Sequence, residues 1–368
     1  MALITTSDKG AMVYGGNPMN ALLRGGGIVW KYIPFNPADL FLSGEVGAWY
    51  AYDEAGGLWR NTDATSPVSA FGQSVAFALD RASGAGIDGG VITSLGSELI
   101  TSLNSGFSPL SEPVPVGSYL RTVITTSNST AGRVRFSLRG ADNSAVSSED
   151  QINSNGTFTL IKGATTGVAT QARILYDFGF DGDFSVTTKL VPGSHASQAS
   201  SSFMPQYQLA GTTYDGLDDR MATTLNPATE GTILARFSGD LASRVVMGSQ
   251  AASDGRCFLA LDASGRLAAG IGGQSTSTIF GGSDIRGETH TGAVTWDGST
   301  VKLYLDAVEV YSAAQSGAVN TTIPIMHGAL NANGTAAAFF DGAISDALVI
   351  DRVMTPQEIT QTTNLWSA

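Results

Sequence analysis

Along residues 133–139, Val134, Phe136 and Leu138 alternate with Arg133, Arg135, Ser137 and Arg139. A strict two-residue period of this kind predicts a strand with one face buried and the other wet. Segments 157–161, 172–178 and 184–190 repeat the theme, punctuated by Asn155-Gly156 and Asp181-Gly182 turn signals. Residues 93–192 therefore read as one antiparallel β-sandwich, a jelly roll in outline. A second series of apolar runs follows at 231–237, 257–261, 291–296, 301–305 and 347–350, each bounded by Gly, Asp, Asn or Ser. Val301, Leu303 and Leu305 share one face, and residues 193–368, after a polar linker at 195–202, read as a second sandwich. At its end Thr355, Pro356 and Glu358 make a capping box with proline in the first turn. One short helix over 356–364 is expected there, docking Ile359 and Trp366 on a sheet edge.

The front of the chain has no such rhythm. Residues 1–45 mix glycine clusters with an aromatic stretch, 28–42, that holds Trp30, Tyr32 and Phe35. Pro34 and Pro37 exclude a helix through it. It is expected to be an attachment or oligomerisation arm that packs on other particle subunits, on another copy, or beneath the next module. Residues 46–92 carry Trp49, Tyr50, Tyr52 and Trp59, then Pro67-Val68 and the run 74–79, and read as a short β-rich connecting segment. Its glycine-rich end, 84–90, reads as a flexible boundary. The fold class expected is all-β: two antiparallel β-sandwich modules after an irregular N-terminal region, with one short C-terminal helix.

Composition agrees with this pattern and removes several function classes. The 368 residues include 45 glycines and only 14% charged side chains, a turn-rich make-up that suits short strands. Twenty Lys and Arg against 32 Asp and Glu give −12 at pH 7, with no basic run, so a nucleic-acid backbone would be repelled. The single cysteine, Cys257, excludes an intrachain disulfide and sits in an apolar run as a buried structural thiol. No stretch reaches the 18 apolar residues of a membrane span and the first residues lack a secretory pattern, so cytoplasmic assembly without membrane insertion is expected.

Local motifs carry two resemblances. Tyr214-Asp215-Gly216-Leu217-Asp218-Asp219 opens a series continued by Trp296-Asp297-Gly298, Leu303-Tyr304-Leu305-Asp306 and Phe340-Asp341-Gly342-Ala343-Ile344-Ser345-Asp346, closing on the Thr355 capping box. This order resembles the laminin G-like, concanavalin A-like sandwich, with Ala307 where that family usually has glycine. Gly47-Ala48-Trp49-Tyr50, Leu58-Trp59-Arg60-Asn61, Pro67-Val68, Gly72-Gln73-Ser74-Val75 and Asp80-Arg81-Ala82-Ser83-Gly84 are similar to a segment of tail and spike proteins of phages and gene transfer agents. In those proteins the segment runs straight on into a motif that resembles Gly193-Ser194-His195-Ala196-Ser197-Gln198-Ala199 here, so the first sandwich looks inserted. That sandwich begins at Leu95-Gly96-Ser97-Glu98-Leu99-Ile100-Thr101, similar to carbohydrate-module-like jelly rolls. The resemblances imply a homo-oligomeric spike or fibre, head or tail, on a particle surface. It would be released by lysis and would attach to host cell-surface polysaccharide. A structural subunit without a ligand of its own is the alternative.

The chemistry is that of binding. Concanavalin A-like glucanases place two glutamates around an aspartate on one strand, and this chain has no such strand, so an enzyme is not expected. His195, in the linker, and His290 and His327, as strand-end residues, have no nearby nucleophile signature. For sugar, which wants a flat aromatic and planar polar groups, the candidates are Trp296, Tyr311, Asn331, Asn333, Asp254 and Arg256, with Tyr304, Asp284 and Arg286 as further options. Trp296 ends an apolar strand and reads as core ahead of sugar contact. Arg133, Arg135 and Arg139 line a polar strand face that could meet an acidic polysaccharide or simply water. Asp215, Asp218 and Asp219 offer oxygens to one Ca²⁺, although Asp-Gly is also a plain turn signal. No other cofactor is expected.

Overall fold

The computed structural model describes residues 35–367 except 44, 63–65, 83–85, 89–90, 94–99, 101–105, 115–117, 148, 164–166, 178, 192, 252–254 and 274–277. Of residues 1–34 it describes the backbone of four strands, Thr5–Thr6, Met12–Tyr14, Asn17–Arg24 and Gly27–Tyr32, paired in that order into one antiparallel sheet. The chain is all-β, with a single α-helix among the described residues.

The first sandwich pairs two antiparallel sheets. One runs Gly106–Val114, Ala169–Asp177, Arg133–Arg139, Asp150–Ile152; the other runs Gly156–Gly163, Tyr119–Ser127, Asp183–Val191. The alternation in 133–139 is realised: Val134, Phe136 and Leu138 are fully buried, packed with Leu120, Ile124 and Ile174 from both sheets. Burial on this scale contributes about 1.5–3 kcal/mol per large side chain. The intervening arginines therefore face outward together.

The second sandwich is larger and begins earlier than its sequence pattern suggests. Its eight-stranded sheet follows the order Gln206–Gln208, Gly211–Asp215, Asp341–Ile350, Gly231–Gly239, Thr289–Trp296, Thr300–Leu305, Val308–Ala314, with Gly47–Ala51 pairing a further part of Asp341–Ile350. The facing sheet includes Thr278–Gly281, Leu267–Gly272, Arg256–Leu261, Arg244–Gln250 and Met326–His327, and ends in Ala196–Ser197, Phe77–Ala78 and Leu58–Trp59. Residues 47–82, expected as a separate connector, thus supply strands to both sheets. Tyr50, Tyr52, Leu58 and Val75 lie in the same core as Phe237, Leu259, Trp296 and Ile344. Ala78 pairs with Ala196, so the first sandwich is an insertion between neighbouring strands of the second. The glycine-rich boundary at 84–90 lies largely outside the described residues.

Close backbone approach explains one glycine in particular. Gly328 has φ +74°, and a Cβ there would stand 2.1 Å from the buried Tyr214 ring. Beyond the sheets the capping box forms as expected: the Thr355 hydroxyl accepts from the Glu358 amide (3.2 Å), and the Thr355 amide donates to the Glu358 carboxylate (2.7 Å). The helix runs Pro356–Trp366, and Ile359 and Trp366 pack with Leu234, Leu348 and Tyr304. Leu40, on the 3₁₀ turn Pro37–Phe41, is buried in that cluster too, so the end of the N-terminal region tucks beneath the second sandwich.

Candidate functional site

Several residues with functional-looking chemistry are built into the interior. His195, read as linker, is buried; its Nδ1 accepts the Asp80 amide at 3.1 Å, and burial pushes its pKa down to about 4. His327, read as a strand-end residue, is also buried, with Nδ1 2.6 Å from the Tyr52 hydroxyl; burial lowers it to about 3. Both imidazoles are neutral packing groups because water cannot reach them. His290 stands at the start of Thr289–Trp296, 2.8 Å from Asp306. Cys257 is buried and burial raises its pKa, as expected for an inert thiol.

The glycan candidates separate in the same way. Trp296 is 1% exposed and its indole N–H donates to the Ala228 carbonyl, so it is core and cannot stack on a sugar. Tyr304 is likewise buried. Asn331, expected at a loop tip, is 7% exposed: its amide donates to Pro324 (2.8 Å) and accepts from Gly334 (2.8 Å), which spends both ends on neighbouring backbone. Its neighbour Asn333 occupies the tip, exposed and at φ +53°, with its backbone amide bonded to Gln250. Tyr311 is 42% exposed on the edge strand Val308–Ala314. Asp284 and Arg286 form an exposed ion pair at 2.5 Å. Asp254 lies outside the described residues.

Topology brings two of these together. Arg256 pairs with Gln250 across one strand boundary, and Gln250 with Ala332 across the next, so Arg256, Gln250 and Asn333 share one end of a sheet. The Arg256 guanidinium donates to the exposed Thr278 hydroxyl at 3.0 Å. Gln250 carried no sequence signal, since its role follows from register alone. Tyr311 belongs to the opposite sheet.

The acidic loop is a third arrangement. One ligand oxygen from each of Asp215, Asp218 and Asp219 falls within 4.8 Å of the others. Asp215 Oδ1 accepts from the amides of Leu217 (2.9 Å), Asp218 (3.1 Å) and Asp219 (3.3 Å). Although burial opposes it, these donors together hold the Asp215 carboxyl below its usual range. Asp219 moves the other way, up to about 7, through burial and then the charge of Asp215. The turn reading thus accounts for Asp215. The remaining all-oxygen donor set suits a hard cation such as Ca²⁺, which would need further oxygens to reach its usual six to eight.

A fourth arrangement lies on the outer face of the four-stranded sheet of the first sandwich. Arg133 donates to Asp177 at 2.9 Å, and Asp177 lies 3.0 Å from Arg135. Arg135 reaches Glu149 at 3.0 Å, which in turn lies 3.6 Å from Arg173. The result is an alternating chain of guanidiniums and carboxylates across strands. Arg139 stands at its end, bonded to Ser137 Oγ at 3.2 Å. Sequence reasoning found Arg133, Arg135 and Arg139 but not Arg173, Glu149 or Asp177, although Gln171, Arg173 and Leu175 alternate with the buried Ala172 and Ile174 in the same way.

Residues 226–360 match the model of a laminin G domain described as the concanavalin A-like lectin/glucanases superfamily, within the second sandwich. No curated protein matches the chain. Among solved structures, the carbohydrate-binding module of the Ruminococcus gnavus intramolecular trans-sialidase, bound to α2,3-sialyllactose, aligns at 19% identity and TM-score 0.32, over 37% of this chain and 84% of that one. A heptameric pentraxin of Limulus polyphemus aligns at 14% identity and TM-score 0.34, over 40% of this chain and 78% of that one. The leech intramolecular trans-sialidase aligns at 16% identity and TM-score 0.33, over 38% of this chain and 24% of that one.

Proposed function

We propose that this chain is a non-enzymatic carbohydrate-binding protein. In the fuller reading it is an oligomeric spike or fibre on a phage-like particle and attaches that particle to host cell-surface polysaccharide. The observation that carries the reading is the grouping of Arg256, Gln250 and exposed Asn333 at one end of a lectin-type sandwich. Planar donor–acceptor groups brought to one end of a sheet, two on strands and one on a hairpin tip, suit sugar hydroxyls. The match of residues 226–360 to a lectin and glucanase superfamily supports it.

Binding rather than hydrolysis is favoured by how the unusual carboxyls are used. Asp80 and Asp346 are pushed up to about 6 and about 8, chiefly by burial, and both are inside the protein where no glycosidic bond can reach them. Asp215 and Asp219 are joined through their own loop backbone. The spike reading draws on the spike-like segments at 47–84 and 193–199 and on the Ala78–Ala196 pairing that makes the sandwich between them an insertion. Oligomerisation through residues 1–45 would raise weak single-site affinity by keeping further sites close at hand.

A glycan array and a pull-down on immobilised host capsule test the reading. Retention above a chain of the same net charge without a sandwich is expected, with no new reducing ends released. Release of reducing sugar would make it a depolymerase, and no retention would leave it a structural subunit.

A further inference from the structure

We propose that the outer face of the Gly106–Val114, Ala169–Asp177, Arg133–Arg139, Asp150–Ile152 sheet binds a carboxylate-bearing polysaccharide, a specification that rests on the carbohydrate-binding reading above. Charge comes first. Arg133, Arg135 and Arg173 pair with Glu149 and Asp177, and Arg139 stands beside them bonded to Ser137, an excess of two positive charges among these six, on a chain whose net charge is −12. A general affinity for polyanions would be opposed by the rest of the molecule, so attraction is confined to this face.

Geometry comes second. Asp177 bridges Arg133 and Arg135, and Glu149 bridges Arg135 and Arg173, so the guanidiniums lie along the sheet, each about a quarter exposed. Ordering a free arginine on binding costs on the order of 1–2 kcal/mol of rotamer entropy; here folding has already met most of it. Guanidinium forks match carboxylates in a plane, which lysines would not. Register sets the remaining surface: Phe107 and Arg173 stand in one row across the strands with the buried Ser137, and Pro109, Gln171 and Arg139 form the next. Phe107 is 38% exposed and offers the apolar plane on which a pyranose ring rests. An arginine row beside an aromatic on a rigid sheet reads charge and ring together.

The test uses the full chain and polygalacturonate oligomers, with dextran as the neutral glycan and a single-stranded oligonucleotide as a non-sugar polyanion. Polygalacturonate should bind, more weakly as salt rises, while dextran and oligonucleotide do not bind at this face. Arg139→Gln with Arg173→Gln, the pair farthest from Asp177, should weaken binding at least about tenfold, the worth of one charge-assisted bond, with an unchanged melting temperature. Arg173→Lys, which keeps charge without the fork, should fall between. Undiminished binding by the double variant, or equally tight oligonucleotide binding, overturns the proposal. Retention of neutral glycans without polygalacturonate overturns it and leaves the broader reading standing. No retention of any glycan overturns both.

Discussion

The carboxylate of Asp80 accepts the backbone amide of Ser194 at 3.0 Å, joining the two points between which the whole first sandwich is inserted. The same carboxylate accepts the amides of Trp49 (3.0 Å) and Ala82 (2.9 Å), while the Asp80 amide donates to His195. Phe77, Tyr119 and His195 stack edge to face beside it, carrying the contact into the inserted module. One buried residue therefore fixes the chain's exit from the second sandwich and its return.

Asp80→Ala should cost roughly 2–4 kcal/mol in urea unfolding, because three partly buried amides lose their acceptor. Asp80→Asn should cost less, since its carbonyl oxygen still serves the Trp49 and Ala82 amides. A cost within about 0.5 kcal/mol for the alanine variant would show that strand pairing alone closes the insertion.

Acidity acts through buried groups whose signs oppose one another. Asp80 and Asp346, chiefly through burial, have folded pKa values raised to about 6 and about 8, so their stabilisation is complete below the unfolded value near 4 and is lost as pH rises through 6 and 8. His195 and His327 are lowered by burial to about 4 and about 3, so their share is complete above the unfolded value near 6.5 and is lost as pH falls toward 3. Asp219, raised to about 7 by burial and the charge of Asp215, adds a third loss against the two histidine gains, so melting temperature should be highest near about pH 4 to 5 and decline toward pH 8. Asp346→Asn, a permanent mimic of the protonated acid, should flatten the alkaline limb and raise the melting temperature at pH 9 by a few degrees. An unchanged alkaline limb would contradict the assignment.

Two asparagines two residues apart should behave in opposite ways. Asn331→Ala breaks bonds to Pro324 and Gly334 and should lower stability by about 1–3 kcal/mol. Asn333→Ala should leave stability within about 1 kcal/mol, the scale of a lost left-handed preference, and weaken glycan retention. Thermal melts and array binding on the two variants separate the roles.

Gly328→Ala should be among the most damaging single changes in the second sandwich. The new methyl would meet the Tyr214 ring at 2.1 Å in a left-handed backbone. A loss of about 2–4 kcal/mol is expected in denaturant unfolding.

What the sequence made legible follows from how local each signal is. Alternation at 133–139 and the Thr355 capping box are properties of consecutive residues, and both are realised as read. Trp49 to Asp80 could not be assigned to the second sandwich by the same means: Leu348 pairs with Trp49 and Ala196 with Ala78, partners far away along the chain. The candidate sites divide the same way. Asp215, Asp218 and Asp219 are close because they share a loop, whereas Arg256 meets Gln250 and Arg135 meets Asp177 only through strand order. Asparagine in an Asn-Ala-Asn-Gly stretch marks a turn, but only the fold decides that Asn331 faces in and Asn333 out. His195, read as linker, lies in the core, since a polar residue there has no signature until its partner is known, while His327 does end the strand Met326–His327.

Retention of the full chain on immobilised host cell-surface polysaccharide, with reducing ends counted in the same experiment, tests the central claim most directly. Specific retention that soluble polysaccharide competes away, with reducing ends unchanged, is the result expected of a carbohydrate-binding protein. Passage through the column like a sandwich-free control, or a steady rise in reducing ends, would contradict it.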